Sequence, residues 1–330
     1  MATVVRFHEL GGPEVLRLEG LDVPPPGKSE VKIRVEAIGL NRAELAFRAG
    51  RYLERPKLPS RLGYEAAGTV ISVGDSVDSF TPGQRVGVIP SFSLTDYGTY
   101  GEEIVVPAHA VVPCPSNISS ETFAAVWMQY LTAYGGLIEV GSLQSGEHLL
   151  ITAASSSVGL ASIKLALATG ATPIAVTRTS AKREALHQAG ATHVVATQEQ
   201  DLASEVRTIT NGQGVRLVFD PIAGPFVETL AKATSPGGML IIYGGLSAQP
   251  TPFPGGLAML KGLTMRGYTL FEITRVPARL AKAKDLILDG IKSGKFVPAI
   301  DRTFHLHDIA DAHRYMEAGE HVGKIVVTVP

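Results

Sequence analysis

The sequence holds one cysteine, Cys114, in 330 residues. No intramolecular disulfide can form, and a cysteine-rich metal site is excluded with it. A lone thiol of this kind is read as a small, buried hydrophobe. An excess of charge of either sign is missing as well. Thirty basic side chains against thirty-one acidic ones leave a formal net charge of −1. That removes the electrostatic footprint a nucleic-acid partner would need. No apolar run reaches membrane-spanning length, because Lys164 and a serine cluster interrupt the best one. The N-terminus, which begins Met1-Ala2-Thr3-Val4-Val5-Arg6, lacks an uninterrupted signal-peptide core. A cytoplasmic protein with neither membrane nor nucleic acid as partner is expected. The chain is too long for one ordinary core, so two domains are expected.

What the sequence does contain is concentrated between His148 and Lys182. A strand-length apolar run, His148–Thr152, meets a turn of small residues, Ala153–Ser157. Val158 and Gly159 open about a dozen helix-favouring residues that end at Gly170. A second strand-like run, Pro173–Val176, leads into Thr177, Arg178, Thr179 and Ser180. Strand, tight turn, helix and strand make a βαβ unit, whose first turn can hold a dinucleotide pyrophosphate. Unpaired N–H groups and the positive end of the helix dipole face the phosphates there. The fingerprint is degenerate. Where G-x-G-x-x-G would stand, the chain reads Ala154-Ser155-Ser156-Ser157-Val158-Gly159, and only the last glycine survives. Taken alone, the stretch is equally a packing turn.

The first ~120 residues are rich in β signals. Val31–Ala37 alternates apolar and charged residues, and Ala67–Val73, Arg85–Ile89 and Glu103–Val106 follow, separated by turn residues. Short strands with frequent turns imply a barrel-like β domain. A short helix is expected over Asn41–Ala49 and a longer one over Ser120–Ala133. Beyond these, strand-like runs at His193–Ala196, Val215–Phe219, Met239–Tyr243 and Thr264–Tyr268 alternate with helical stretches. That alternation implies a parallel sheet covered on both faces. The expected division is a β-rich domain over residues 1–122, a nucleotide domain over 123–266, and a return to the first domain over 267–330.

Several segments together resemble the medium-chain dehydrogenase/reductase superfamily. Gly63-Tyr64-Glu65-Ala66-Ala67-Gly68-Thr69-Val70 is similar to its G-H-E-x-x-G-x-V motif, and Pro82-Gly83-Gln84-Arg85-Val86 to its P-G-D-R-V turn. Leu131-Thr132-Ala133 resembles its L-T-A segment, and Gly323-Lys324-Ile325-Val326 its closing strand. The A-A-x-x-x-V-G turn and Gly39-Leu40-Asn41 resemble the zinc-free quinone oxidoreductase branch. The resemblance implies an α/β protein with a GroES-like catalytic domain and a Rossmann domain, with the nicotinamide in the cleft between them. It also implies hydride transfer from NADPH to a quinone or an α,β-unsaturated carbonyl. Reduction of enoyl thioesters or simple carbonyls on the same fold is one alternative. An NADPH-binding sensor or crystallin-like protein with little turnover is another. Relatives form homodimers, and Thr264–Tyr268 is the candidate edge strand. Zinc-dependent members need a Cys near Asn41 and the His of G-H-E, where this chain has Tyr64, so no metal is expected.

The resemblance places Ser155, Ser156, Val158 and Gly159 at the pyrophosphate. Thr177 replaces the acid with which NAD enzymes bind the ribose hydroxyls. Arg178 and Lys182, supported by Ser180, then suit a 2′-phosphate; an ordinary solvated helix start is the alternative. Thr132, Tyr243, Gly244 and Phe271 are candidates for the nicotinamide half of the cofactor site. Asp220 before Pro221 reads equally as a cleft residue or a turn initiator. Asn41 and Tyr52 are the candidate catalytic residues, as hydrogen-bond donors to the ribose or to the substrate oxygen. A second cleft tyrosine of some relatives is Ala46 here.

Overall fold

Two kinds of sheet carry the chain, and each follows from its pattern of apolar residues. A computed structural model describes residues 1–330. The residues form two units, one of residues 1–128 and 297–330, the other of residues 129–296.

In the first unit, Glu30–Gly39 is the central strand. Val31, Ile33, Val35 and Ala37 are buried on one side, while Arg34 points to solvent. That period of two is what a half-buried antiparallel strand requires. The strand pairs antiparallel with Glu65–Val73, Glu103–Pro107 and the closing strand Lys324–Thr328. Ile300–His305 extends the sheet beside the closing strand. An N-terminal hairpin, Ala2–Arg6 with Arg17–Leu21, had no clear pattern in the sequence.

In the second unit, six parallel strands follow the order His193–Ala196, Thr172–Thr177, His148–Ile151, Val215–Asp220, Thr234–Ile242 and Thr264–Gly267. In chain order this reads 3-2-1-4-5-6, the doubly wound arrangement. Leu150, Ile174, Val195, Val218 and Leu240 lie in one core cluster beneath the helices. Burial on both faces explains why these strands read as apolar runs and do not alternate.

Two expectations need correction. The return to the first unit comes at Val297, not at residue 267. Thr264–Gly267 pairs with Thr234–Ile242, and Phe296 stacks on Tyr130 with ring centroids 4.9 Å apart, so 267–296 stay with the nucleotide unit. The expected helix over Ser120–Ala133 is two helices, Ser120–Ala124 and Trp127–Tyr134. In the first turn of the second helix, the Met128 N–H donates to Glu65 Oε2 at 2.9 Å.

Candidate functional site

The nucleotide unit gathers its candidates at the carboxyl ends of its central strands. The strand order reverses between His148–Ile151 and Val215–Asp220, the position where such sheets bind ligands. After the first of these strands the backbone bends at Ala153, whose φ of 44° lies in the left-handed region. A non-glycine residue adopts it at a cost of roughly 1–2 kcal/mol. Ser156 then caps the helix Ser157–Thr169, its hydroxyl accepting the Gly159 N–H at 3.1 Å. A Cβ on Gly159 would lie 2.4 Å from the Ala154 carbonyl oxygen, so only glycine lets the helix sit this close to the strand. Gly170 ends the helix in the left-handed conformation, at φ 78°.

Asp220, buried at the end of its strand, accepts hydrogen bonds from the Thr152 hydroxyl and from the N–H groups of Ile222 and Ala223. It therefore holds the turn before and after Pro221, which favours the structural alternative. Tyr243 stacks on Phe219 at 4.0 Å between centroids. Its hydroxyl is buried without a hydrogen-bond partner; Ser156 lies beside it but outside hydrogen-bond geometry. Burial pushes the phenol far up. Gly244, next in the chain, is exposed. Thr132 is buried on the helix Trp127–Tyr134. Phe271 begins a short helix, with the Arg275 guanidinium 4.5 Å above its ring.

At the end of the second strand, Thr177 is half-buried and Arg178 is exposed. Lys182 reaches back toward the nucleotide turn, its Nζ 3.4 Å from the Ser155 hydroxyl. Arg183 instead binds the Val194 carbonyl and Gln200 and serves the fold. The Ser180 N–H is taken by Glu199, a carboxylate that reading the sequence passed over. The turn, Gly244, where a Cβ would lie 2.8 Å from the Pro221 carbonyl oxygen, the unpartnered Tyr243 hydroxyl and the cations near Thr177 fit a dinucleotide phosphate.

The first unit brings other candidates together around buried charge. Asn41 precedes the helix Arg42–Arg48, and its own N–H goes to Glu44 Oε2 at 2.8 Å. Its side-chain amide faces the Gly39 carbonyl, Glu44 and Glu65 at 3.0–3.3 Å. Its Oδ1 accepts from Lys324 Nζ at 2.6 Å. Both amide hydrogens thus have acceptors inside the protein, which does not fit the expected donor to substrate. Lys324 also binds Glu65 Oε1; the two side chains are 1% and 0% exposed. Neither Glu65 nor Lys324 was singled out as a functional residue from the sequence.

From Glu44 the polar chain continues. Arg48 cannot accept a hydrogen bond, so its contact with His313 Nδ1 at 2.7 Å makes that nitrogen the acceptor. His313 is then neutral and donates from Nε2 to Tyr100 Oη at 3.1 Å, and Tyr100 donates to Glu44 Oε2 at 2.5 Å. Burial, reinforced by the Arg48 charge, lowers His313 from 6.5 to about 3. Burial raises Glu44 to about 7 against the hydrogen bonds it accepts. Between pH 6.5 and 3 the unfolded chain binds a proton that native His313 refuses, so this residue lowers stability as pH falls through that window. Replacing His313 with Gln should spare about 2 kcal/mol of the loss between about pH 7 and about pH 5. Urea unfolding of both proteins at the two pH values checks it; equal losses would show that His313 is not the group responsible.

Tyr52 stands at the edge of this cluster, half-buried. Its ring meets Phe47 and Tyr64 edge-on, with centroids 6.5 Å and 6.3 Å away. The Tyr64 hydroxyl donates to Tyr52 Oη at 3.4 Å, which leaves the Tyr52 proton for another acceptor. Burial raises both phenols, so both stay protonated. No three His, Cys, Asp or Glu side chains are grouped to hold a metal ion.

Comparison with known proteins agrees with this architecture. A profile described as "Alcohol dehydrogenase GroES-like domain" matches residues 27–116, and one described as "Zinc-binding dehydrogenase" matches 157–287. The chain is 32% identical over 328 residues to a quinone oxidoreductase of Pseudomonas aeruginosa, covering 99% of both. It is also 32% identical over 320 residues to part of the phenolphthiocerol/phthiocerol polyketide synthase of Mycobacterium tuberculosis. That match takes in 95% of this chain but only 14% of the synthase polypeptide. The structure of Escherichia coli quinone oxidoreductase complexed with NADPH superposes with a TM-score of 0.91 at 29% identity, covering 99% of each chain. The chain belongs to the medium-chain dehydrogenase/reductase superfamily, in its quinone oxidoreductase-like branch.

Proposed function

We propose that the chain is an NADPH-dependent oxidoreductase that works without zinc and reduces a quinone or an α,β-unsaturated carbonyl. The observation that carries this reading is the small-residue turn at the point where the parallel sheet reverses its order. NADPH supplies the hydride. Ser155, Ser156, Val158 and Gly159 hold the pyrophosphate at the helix start. Arg178 and Lys182, with Ser180, hold the 2′-phosphate, and Thr177 offers no carboxylate to repel it. Thr132, Tyr243, Gly244 and Phe271 border the nicotinamide half.

In the first unit, the Tyr52 hydroxyl donates a hydrogen bond to the substrate oxygen that gains negative charge. Tyr64 orients it through their shared hydrogen bond. Asn41 positions Glu44 and Glu65 and touches no substrate. Where zinc-dependent relatives need a ligand His, Tyr64 presents a phenol held protonated by burial.

The test is NADPH oxidation by chelator-treated protein with a panel of quinone, enone, enoyl-thioester and aldehyde acceptors. Turnover with the quinone or the enone is expected. Turnover confined to thioesters or aldehydes, or restored only by zinc, would overturn the reading.

A homodimer is the assembly we infer. The strand Thr264–Gly267 ends the parallel sheet with one edge unpaired, and such an edge invites a second copy. Nearby, Met259 and Leu260 on the helix Gly255–Lys261 are 84% and 80% exposed. Light scattering at micromolar concentration should give twice the chain mass. A monomer alone would dismiss the idea.

A further inference from the structure

We propose that Glu199 competes with the cofactor's 2′-phosphate for the loop after the second strand, and so limits how strongly this protein prefers NADPH over NADH. The inference rests on the reading above that Arg178 and Lys182 hold that phosphate.

The placement follows from strand pairing. Thr172–Thr177 and His193–Ala196 run parallel, with Ala196 opposite Thr177. Past their ends the two backbones stay bonded. The Thr197 N–H donates to the Thr177 carbonyl at 3.0 Å, and the Gln198 N–H to the Arg178 carbonyl at 2.9 Å. One residue further, Glu199 Oε1 accepts the Ser180 N–H at 2.7 Å. A carboxylate is thereby fixed on the loop that carries Arg178, Ser180 and Lys182.

Its chemistry is that of a small internal anion. It takes a backbone donor on the phosphate's loop, and its charge has the same sign as the phosphate. The Ser180 hydrogen bonds also hold Glu199 below its ordinary carboxylate range, so it stays ionised at neutral pH. Glu199 is exposed, so the repulsion is screened by water and salt. NADH lacks the phosphate and meets no such repulsion.

Fluorescence titration of NADPH and NADH into the full-length protein tests this. Glu199→Gln keeps an oxygen for the Ser180 N–H while removing the charge. NADPH Kd should fall by roughly 3- to 10-fold at low ionic strength, the size of one screened charge contact. NADH Kd should stay within about 2-fold, and the gain should shrink in high salt. Arg178→Ala is measured in parallel and should weaken NADPH alone. If Arg178→Ala does so and Glu199→Gln leaves NADPH unchanged or weaker, the competition is refuted while the phosphate reading survives. If Arg178→Ala and Lys182→Ala weaken both cofactors equally, or neither, the phosphate reading fails and the competition falls with it.

Discussion

Lys324→Met should cost the first unit about 3–5 kcal/mol of stability, the usual result of removing one partner from a buried ion pair. Lys324 Nζ meets Glu65 Oε1 and Asn41 Oδ1, and no solvent reaches either charge. Methionine fills similar volume, so the loss is electrostatic more than steric. Glu65 would keep its bonds from Met128 N–H and Asn41 but lose its only cation. Adding Glu65→Gln should recover much of the loss, because no buried charge then remains. Trp127, the single tryptophan, is buried in the first unit, so its fluorescence during urea unfolding reports that unit. A loss below about 1 kcal/mol would mean that water or a neighbouring group already compensates Glu65.

Tyr52→Phe should lower kcat/KM by roughly 10- to 1,000-fold, the range for one positioned donor to a developing oxyanion. The substitution keeps the ring and its edge contacts with Phe47 and Tyr64. Only the hydroxyl is lost. NADPH Kd should be nearly unchanged, because the residues proposed to hold the cofactor lie in the other unit. Tyr64→Phe should act in the same direction but by less than about tenfold, since Tyr64 works through Tyr52. An unaltered kcat/KM in Tyr52→Phe with the best acceptor would reduce Tyr52 to a wall of the pocket.

Helix and strand placement was largely legible in the residues. Parallel strands such as His148–Ile151 and Val215–Asp220 read as apolar runs because they are buried on both faces. The short helix expected over Asn41–Ala49 forms as Arg42–Arg48, and its capping contact from Asn41 to Glu44 is local in the chain. The small-residue turn was visible for a similar reason: close backbone approach limits residue size over a few consecutive positions. Where periodicity was interrupted, reading the sequence ran two helices together, as at Ser120–Ala133. At the start of the second helix, Glu65, some sixty residues earlier in the chain, accepts the Met128 N–H.

The sequence by itself therefore determined the β-rich first part, the alternation of strands and helices after it and the small-residue turn behind His148–Ile151, because these depend on short-range period and residue size. Only the tertiary structure decided which charges are buried together. Glu65 and Lys324 are separated by 259 residues and Tyr100 and His313 by 213, and no local pattern marks either pair. The same holds for Glu199, which looks like a solvated side chain until parallel pairing of two strands brings it to Ser180. It is also why Asn41 changes from a candidate donor into a held anchor: its polar atoms are already satisfied by groups that folding brings in from elsewhere in the chain.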